Sequence, residues 1–594
     1  MKKIILIFFL IVGGFLQAQN VQQAYDYFRK GEYQKSATIY SKLHQKNTNS
    51  KTYFKKLVRC YQELENYVKV EDLISKQIKR FPKWHYLNVE LGYNYQLQNL
   101  NDKAKKLYKK AINAIDKTPS SAFTVGRSFQ ENHMLDYAMQ VYRKAMGINP
   151  KLNLHIYIAN IYGEKAEISN MFDAYLDMVE SNANYFSTIQ RYVGKFITDD
   201  SRNENNILFR KLLLKRLQNN PNDSWNKLLS WMYMQQKDYD KAFIQEKALF
   251  KRSSSDLKRI FDLGFVSFQA KRFETSKSCF NYILENTENQ GQVLNAHLSL
   301  LEIGVRTAKT DADYNQVDLK FKELFSKYGK GRNTIDLQIA YADFLTFTKD
   351  NPETALTILQ EAIPFANSRF LRGNIKIKLA DILVYTNKFN QALINYTQVQ
   401  ADLKGSDIAQ TARLKVAKTS YYKGDFDWAK TQLKVLKSAT SKLISNDALK
   451  LNLLIGDNIA GDTIRTALKK YATADLLAFQ NKNAQAIDTL STILKEFKGH
   501  AIEDEALFKQ AELYTKTKQF SFAENNYHKL IQLNKDGILV DDSYYKLGKL
   551  YENELADIEK AKEMYQKIIF DFASSIYLVD ARRKFRKLRG DHLN

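Results

Sequence analysis

Two cysteines, six prolines, 22 glycines and four tryptophans are thin provision for 594 residues, and no long apolar run follows the first few positions. Each shortage excludes something. So few Pro and Gly leave little material for hairpin turns or flexible linkers, which points to helix after helix. Two cysteines are too few for a disulfide framework. A membrane-spanning helix needs about 20 apolar residues, and no segment beyond the first few positions supplies them. The eight histidines are scattered, with no pair at a metal-binding helical spacing. Gly329-Lys330-Gly331-Arg332 lacks the arrangement that cradles phosphate, and no Gly-x-Ser-x-Gly elbow occurs. These absences argue against an enzyme, a cofactor and a metal. The acid pairs Asp199-Asp200 and Asp541-Asp542 are expected at helix starts, capping backbone N–H groups.

Tyrosine (36) and phenylalanine (35) are abundant in an otherwise polar chain. Lys and Arg number 90 against 65 Asp and Glu, a formal charge of +25. Such an excess suits nucleic acid, an anionic membrane surface or an acidic protein. The cations are spread through almost every helix, as in Lys103, Lys105, Lys106, Lys109 and Lys110, which reads as a solvated face. Nucleic acid is not expected as a partner. At the N-terminus, Lys2-Lys3, an apolar run from Ile4 to Val12, and Leu16-Gln17-Ala18 describe a cleavable signal peptide over residues 1–18. The expected compartment is the periplasm, with the extracellular space as the alternative and Gln19 as the first mature residue.

Self-similarity dominates the rest. Leu91-Gly92, Tyr95, Ala104, Tyr108 and Ala111 recur as Val125-Gly126, Phe129, Ala138, Tyr142 and Ala145, offset by 34 residues, and more loosely as Leu57-Val58, Tyr61, Val70 and Ile74. Spacings of three and four keep each set on one helical face. A small residue on the first helix and an Ala on the second let two antiparallel helices approach closely. One such pair cannot bury its apolar face, so units must stack. Looser copies include Ala24/Tyr27/Ser36/Tyr40, Gly264/Ser276/Phe280, Ala380/Leu383/Ala392/Tyr396, Ala474/Leu477/Ala486/Leu490 and Ala511/Tyr514/Ala523/Tyr527. The last copy, Gly548/Tyr551/Ala561/Tyr565, carries one inserted residue. Across so many stacked units a bond between Cys60 and Cys279 is out of reach, and both are expected as buried hydrophobes.

This pattern resembles the tetratricopeptide repeat. The resemblance implies an all-α, right-handed α-α superhelix of about 12 to 14 helix pairs that binds other proteins. The expected layout is an N-terminal arm over 19–180, a degenerate connector at 181–221, and a central arm over 222–436 with degenerate units at 288–332. A second connector follows at 437–465, which includes Asn446-Asp447, Gly456-Asp457-Asn458 and Gly461-Asp462, then a C-terminal arm over 466–575; the stretches 181–221, 288–332 and 437–465 are the candidate hinges. A basic capping helix over 576–594 buries Ala581, Phe585 and Leu588; contact with an anionic membrane surface is the alternative use of its cations. Residues 501–589, with Asp504-Glu505-Ala506 and Phe572-Ala573-Ser574-Ser575, also resemble repeats of periplasmic cell-envelope proteins. The implied function is a protein-interaction scaffold for envelope assembly, secretion or a surface complex, with a glycan or peptidoglycan binder as the alternative.

In the resembled family the first helix of each pair lines a concave groove, and the exposed positions lie one and four residues after the small residue. Here these are Arg59, Tyr93, Arg127 and Asn160, and Gln62, Gln96, Gln130 and Gly163. Three Gln in register would form a polar ladder, while the arginines suit backbone carbonyls or carboxylates of an extended peptide. Lys55 matches a clamp lysine of chaperone-binding members; Arg59 and Arg127 stand where that clamp has Asn.

Overall fold

The computed structural model describes residues 20–253, 256–439, 441–459 and 465–591. The expected leader and Gly461-Asp462 lie outside them. Among the described residues there are helices and turns but no strand. The chain divides into two compact units, 1–237 and 238–594. The stretch 181–221 falls inside the first and 437–465 inside the second.

The first unit stacks helix pairs. Residues 20–29 pair with Tyr33–Lys46, Lys51–Glu63 with Tyr67–Arg80, and Tyr86–Gln96 with Asn101–Lys117. Then come Ala122–Glu131 with Leu135–Ile148, His155–Glu164 with Ile168–Ser181, and Phe186–Val193 with Glu204–Asn219, before a closing helix Asp223–Gln235. The signature-poor stretch 181–221 is thus itself a pair. Asp199-Asp200 does not open a helix: it sits in the preceding turn, and Asn203 is the residue whose side chain accepts from the Asn205 and Asn206 amides.

Packing explains the signature. First helices lie on first helices, Tyr86–Gln96 against Ala122–Glu131, and second on second, Asn101–Lys117 against Leu135–Ile148. The glycines are needed because an aromatic ring lies across each, a tyrosine at Gly92, Gly126 and Gly548 and Phe280 at Gly264. A Cβ on Gly126 would stand 2.5 Å from Tyr142 Cζ, and one on Gly548 would stand 2.6 Å from Tyr565 Cε1. Where serine takes the small position of the second helix, its hydroxyl donates to the small residue's carbonyl, Ser36 to Ala24 and Ser276 to Gly264, both at 2.8 Å.

The turn between paired helices is equally regular. Seven residues after the small position, the backbone enters the left-handed region at Gly31, Glu65, Asn99, His133, Ala166, Lys271, Asn387, Gly424, Asn481 and Lys518. The inserted residue of the last unit is absorbed by a π-helical turn over Tyr551–Leu555, so that Ala556 takes the left-handed position one residue later.

The second unit begins with Tyr239–Ser253 and stacks Lys258–Gln269 with Phe273–Glu285, Gln290–Thr307 with Asp311–Tyr328, and Ile335–Phe347 with Pro352–Ala362. Arg369–Tyr385 with Phe389–Asp402 and Asp407–Lys423 with Phe426–Val435 follow. Next stands a solitary helix, Lys442–Asp457, which contains Asn446-Asp447 in its interior rather than at a hinge. Pairing resumes with Thr466–Phe479 and Asn483–Glu496, Ile502–Lys516 and Phe520–Leu533, and Val540–Leu550 and Ile558–Asp571. Thr466–Phe479 bypasses the solitary helix and packs directly on Asp407–Lys423. Its end reaches further back: Gln480 Nε2 donates to the Tyr385 carbonyl at 2.8 Å and Asn481 Nδ2 to that of Phe347 at 3.0 Å. The last helix, Leu578–Arg589, buries Ala581 and lays Phe585 and Leu588 on the core of the preceding pair.

Cys60 and Cys279 are free and buried. Burial pushes the Cys279 thiol up to about 12, which keeps it protonated and unreactive. Among the described residues no helix is long and apolar enough to cross a membrane. No group of His, Cys, Asp or Glu among them is placed to hold a metal ion.

Candidate functional site

The helices Lys51–Glu63, Tyr86–Gln96 and Ala122–Glu131 enclose a cleft of about 510 Å³ in the first unit. Ser50 caps the first of these by accepting from the Tyr53 amide. That helix then presents Lys51, Lys55 and Arg59 at steps of four, on one face. The second contributes Tyr86 and Glu90, the third Thr124, Arg127 and Glu131, again at helical steps. Lys56 completes a lining of five cations against two carboxylates.

The carboxylates hold the cations in place without exhausting them. Lys55 Nζ lies 2.6 Å from Glu131 Oε2 and 3.7 Å from Glu90 Oε1. Arg127 Nε reaches Glu131 Oε1 at 2.9 Å. Burial opposes the charge on Glu131, but the bonds from Lys55 and Arg127 outweigh it and hold its carboxyl below the usual range. Glu90, 2% exposed, also accepts from Ser128 Oγ at 2.7 Å. Arg59 donates to Asn132 Oδ1 and to Gln62 Oε1, and its guanidinium lies over the Tyr93 ring. Lys51 stands over Trp84, whose ring stacks on Phe81 at 4.1 Å. At the floor, Tyr86 is 1% exposed and its hydroxyl has no partner among the described residues. Burial first, then the nearby Glu90 and Glu131, push its pKa well above the ordinary phenol range, so it remains a donor.

Of the positions read from the sequence, Lys55, Arg59 and Arg127 meet in this cleft and Tyr93 braces it. Of the glutamine ladder, Gln96 is exposed and Gln130 half-buried, and one position is corrected. Gln62 is buried, not exposed. The Gln96 and Gln130 carbonyls accept from Tyr108 and Tyr142 hydroxyls at 2.7 and 2.8 Å. These glutamines recur because both of these units lay a tyrosine hydroxyl across their glycine, and that hydroxyl needs an acceptor; in the last unit Glu552 serves Tyr565 in the same way, at 2.7 Å. Asn160 is exposed and Gly163 half-buried, and neither lines the cleft. Sequence reasoning missed Lys51, Lys56, Tyr86, Glu90, Thr124 and Glu131. The Lys51/Lys55/Arg59 column at steps of four was legible; the acids and Tyr86 were not, because they come from other units.

Comparison with known proteins bears on the scaffold. Residues 542–575, the last complete pair, match the family model for the tetratricopeptide repeat. No curated protein matches the chain. Solved structures similar to it include a chain of Naa15/Naa10 bound to HypK-THB, 11% identical over 97% of this chain and 96% of that one, with a TM-score of 0.28. Another is a chain of the APC/C hetero-tetramer Cut9–Hcn1, 13% identical over 96% of both chains, with a TM-score of 0.23. The fold is an all-α solenoid of stacked helix pairs, with a tetratricopeptide repeat at residues 542–575.

Proposed function

We propose that the protein is a non-catalytic interaction scaffold whose first unit captures an acidic segment of a partner protein in the cationic cleft. The observation that carries this reading is the cleft itself: among the described residues five cations converge on one concavity, only two carboxylates face them, and a buried tyrosine hydroxyl at the floor has no partner. Charge-assisted hydrogen bonds from Lys and Arg suit carboxylates, and an extended acidic peptide could meet several at once. The compartment we propose is the bacterial periplasm, in the service of envelope biogenesis or secretion, on the strength of the leader-like first residues and the C-terminal repeat motifs. Amino-terminal sequencing of the protein from its native host should find Gln19 first.

The binding reading is tested by photocrosslinking in the native host. A photoreactive residue at Thr52, on the cleft wall, should trap a specific protein that one at Lys110, exposed on a second helix, does not. Capture at Lys110 alone would put the binding face on the other side.

A further inference from the structure

The second unit carries an ionic ladder. The acid one residue after a small packing position pairs with the lysine two residues before the next one: Asp343 with Lys378 at 2.6 Å, and Asp381 with Lys415 at 2.6 Å. Further on, Asp475 pairs with Lys509 at 2.5 Å and Glu512 with Lys546 at 2.6 Å. Each rung ties one first helix to the first helix of the next pair. One rung is missing. After Ala417 the acid's place is taken by Lys418, and two residues before Ala474 stands Ala472. The interruption coincides with the solitary helix Lys442–Asp457.

A cavity of about 360 Å³ opens at this break, lined among others by Lys418, Tyr421, Tyr422, Phe479, Lys509 and Lys516. Asp475 and Glu512 also face it, but both are neutralised by their own rungs. Lys516 is held by the Asn481 and Asn483 side-chain oxygens at 2.9 and 3.3 Å. Lys418 makes no ion pair or hydrogen bond among the described residues. One helical turn on, Tyr421 is 1% exposed and its hydroxyl has no partner among the described residues. A cation without an acid and a buried phenol without an acceptor thus line one cavity.

We propose that this open rung is a second binding site, which takes a carboxylate from a ligand: Lys418 supplies the charge, Lys516 a second cation, Tyr421 a hydrogen bond, and Tyr422 and Phe479 an aromatic wall. The site is independent of the cleft in the first unit. The carboxylate can come from an acidic side chain or from a chain terminus, and two probes separate these sources. One is octaglutamate blocked at both ends; the other is an octaserine with a free C-terminus.

The test titrates each labelled probe, by fluorescence anisotropy, against the full chain carrying Lys55→Glu and Arg127→Glu, which silence the first cleft. At least one probe should bind, and the one that binds names the source. Lys418→Glu should weaken it at least tenfold, Tyr421→Phe several-fold, and Lys418→Arg little. Lys434→Glu, exposed on the neighbouring second helix, should change nothing. Because Lys418 supports no internal pair, Lys418→Ala should leave Tm unchanged, whereas Lys415→Ala should lower it. Binding by neither probe, equal losses at Lys418 and Lys434, or a Tm fall for Lys418→Ala matching that for Lys415→Ala would each overturn the proposal. None of these results bears on the first cleft, whose Lys55 and Arg127 are replaced in this background.

Discussion

At the scale of one residue, the glycine–tyrosine contact is the least forgiving feature. Tyr142 is fully buried and its hydroxyl is committed to Gln130, so the ring cannot swing away from an added side chain. Gly126→Leu should destabilise the first unit by about 1–3 kcal/mol or more through overpacking. Ala138, fully buried on the facing helix, should respond to Ala138→Leu in the same direction. Thermal unfolding that does not move for either variant would mean the helices do not touch there. Glu505 is a different kind of residue. Burial first, and then neighbouring Asp504, push its carboxyl well above the usual range, and its Oε2 has no partner among the described residues. A raised carboxyl pKa means that the folded state keeps a proton which the unfolded chain gives up at ordinary carboxylate pH. Its contribution is therefore present below that range and lost as pH rises above it. Glu505→Gln, which stays neutral, should leave Tm unchanged near about pH 4 and raise it at about pH 8. An equal shift at both would show that Glu505 is ionised in the fold.

At the scale of the element, the turn joining paired helices decides where each second helix starts. Its left-handed position is filled by glycine or asparagine in several units, but by Ala at 166 and Lys at 271, where the side chain crowds the backbone. Left-handed backbone costs an L-residue about 1–2 kcal/mol, part of which glycine returns as extra freedom in the unfolded chain. Ala166→Gly should accordingly raise stability by about 0.5–1 kcal/mol, and Gly424→Ala should lower it by a similar amount. Denaturant midpoints that shift the opposite way would contradict the turn geometry.

At the scale of the whole molecule, charge is the dominant property. The formal +25 already counts the ladder acids, so it is an excess of cations, distributed along the helices, that the ladder pairs do not offset. Charge interactions are screened beyond about 8 Å at physiological ionic strength, so exposed cations outside the two cavities contribute a diffuse attraction that salt weakens. Octaglutamate binding to the wild-type chain should weaken as salt rises, and Arg127→Glu should both weaken it and flatten that dependence. A salt dependence unchanged by Arg127→Glu would assign the attraction to the general surface instead of the cleft.

The amino-acid sequence by itself determined the helix pairs, their 34-residue period and the close packing at Gly92, Gly126, Ala104 and Ala138, because these depend on spacings within one unit. It also marked Lys55, Arg59 and Arg127, which project from first helices at predictable steps. Only the tertiary structure decided what those side chains meet. Glu90, Glu131 and Tyr86 join the cleft from other units, Gln96 and Gln130 turn out to serve tyrosine hydroxyls, and Thr466–Phe479 skips the solitary helix to lie against Asp407–Lys423. The reason is physical: periodicity fixes which face of a helix is apolar, but the partner of a polar group on the other face depends on how neighbouring units stack. That stacking is set by side chains far apart in the chain.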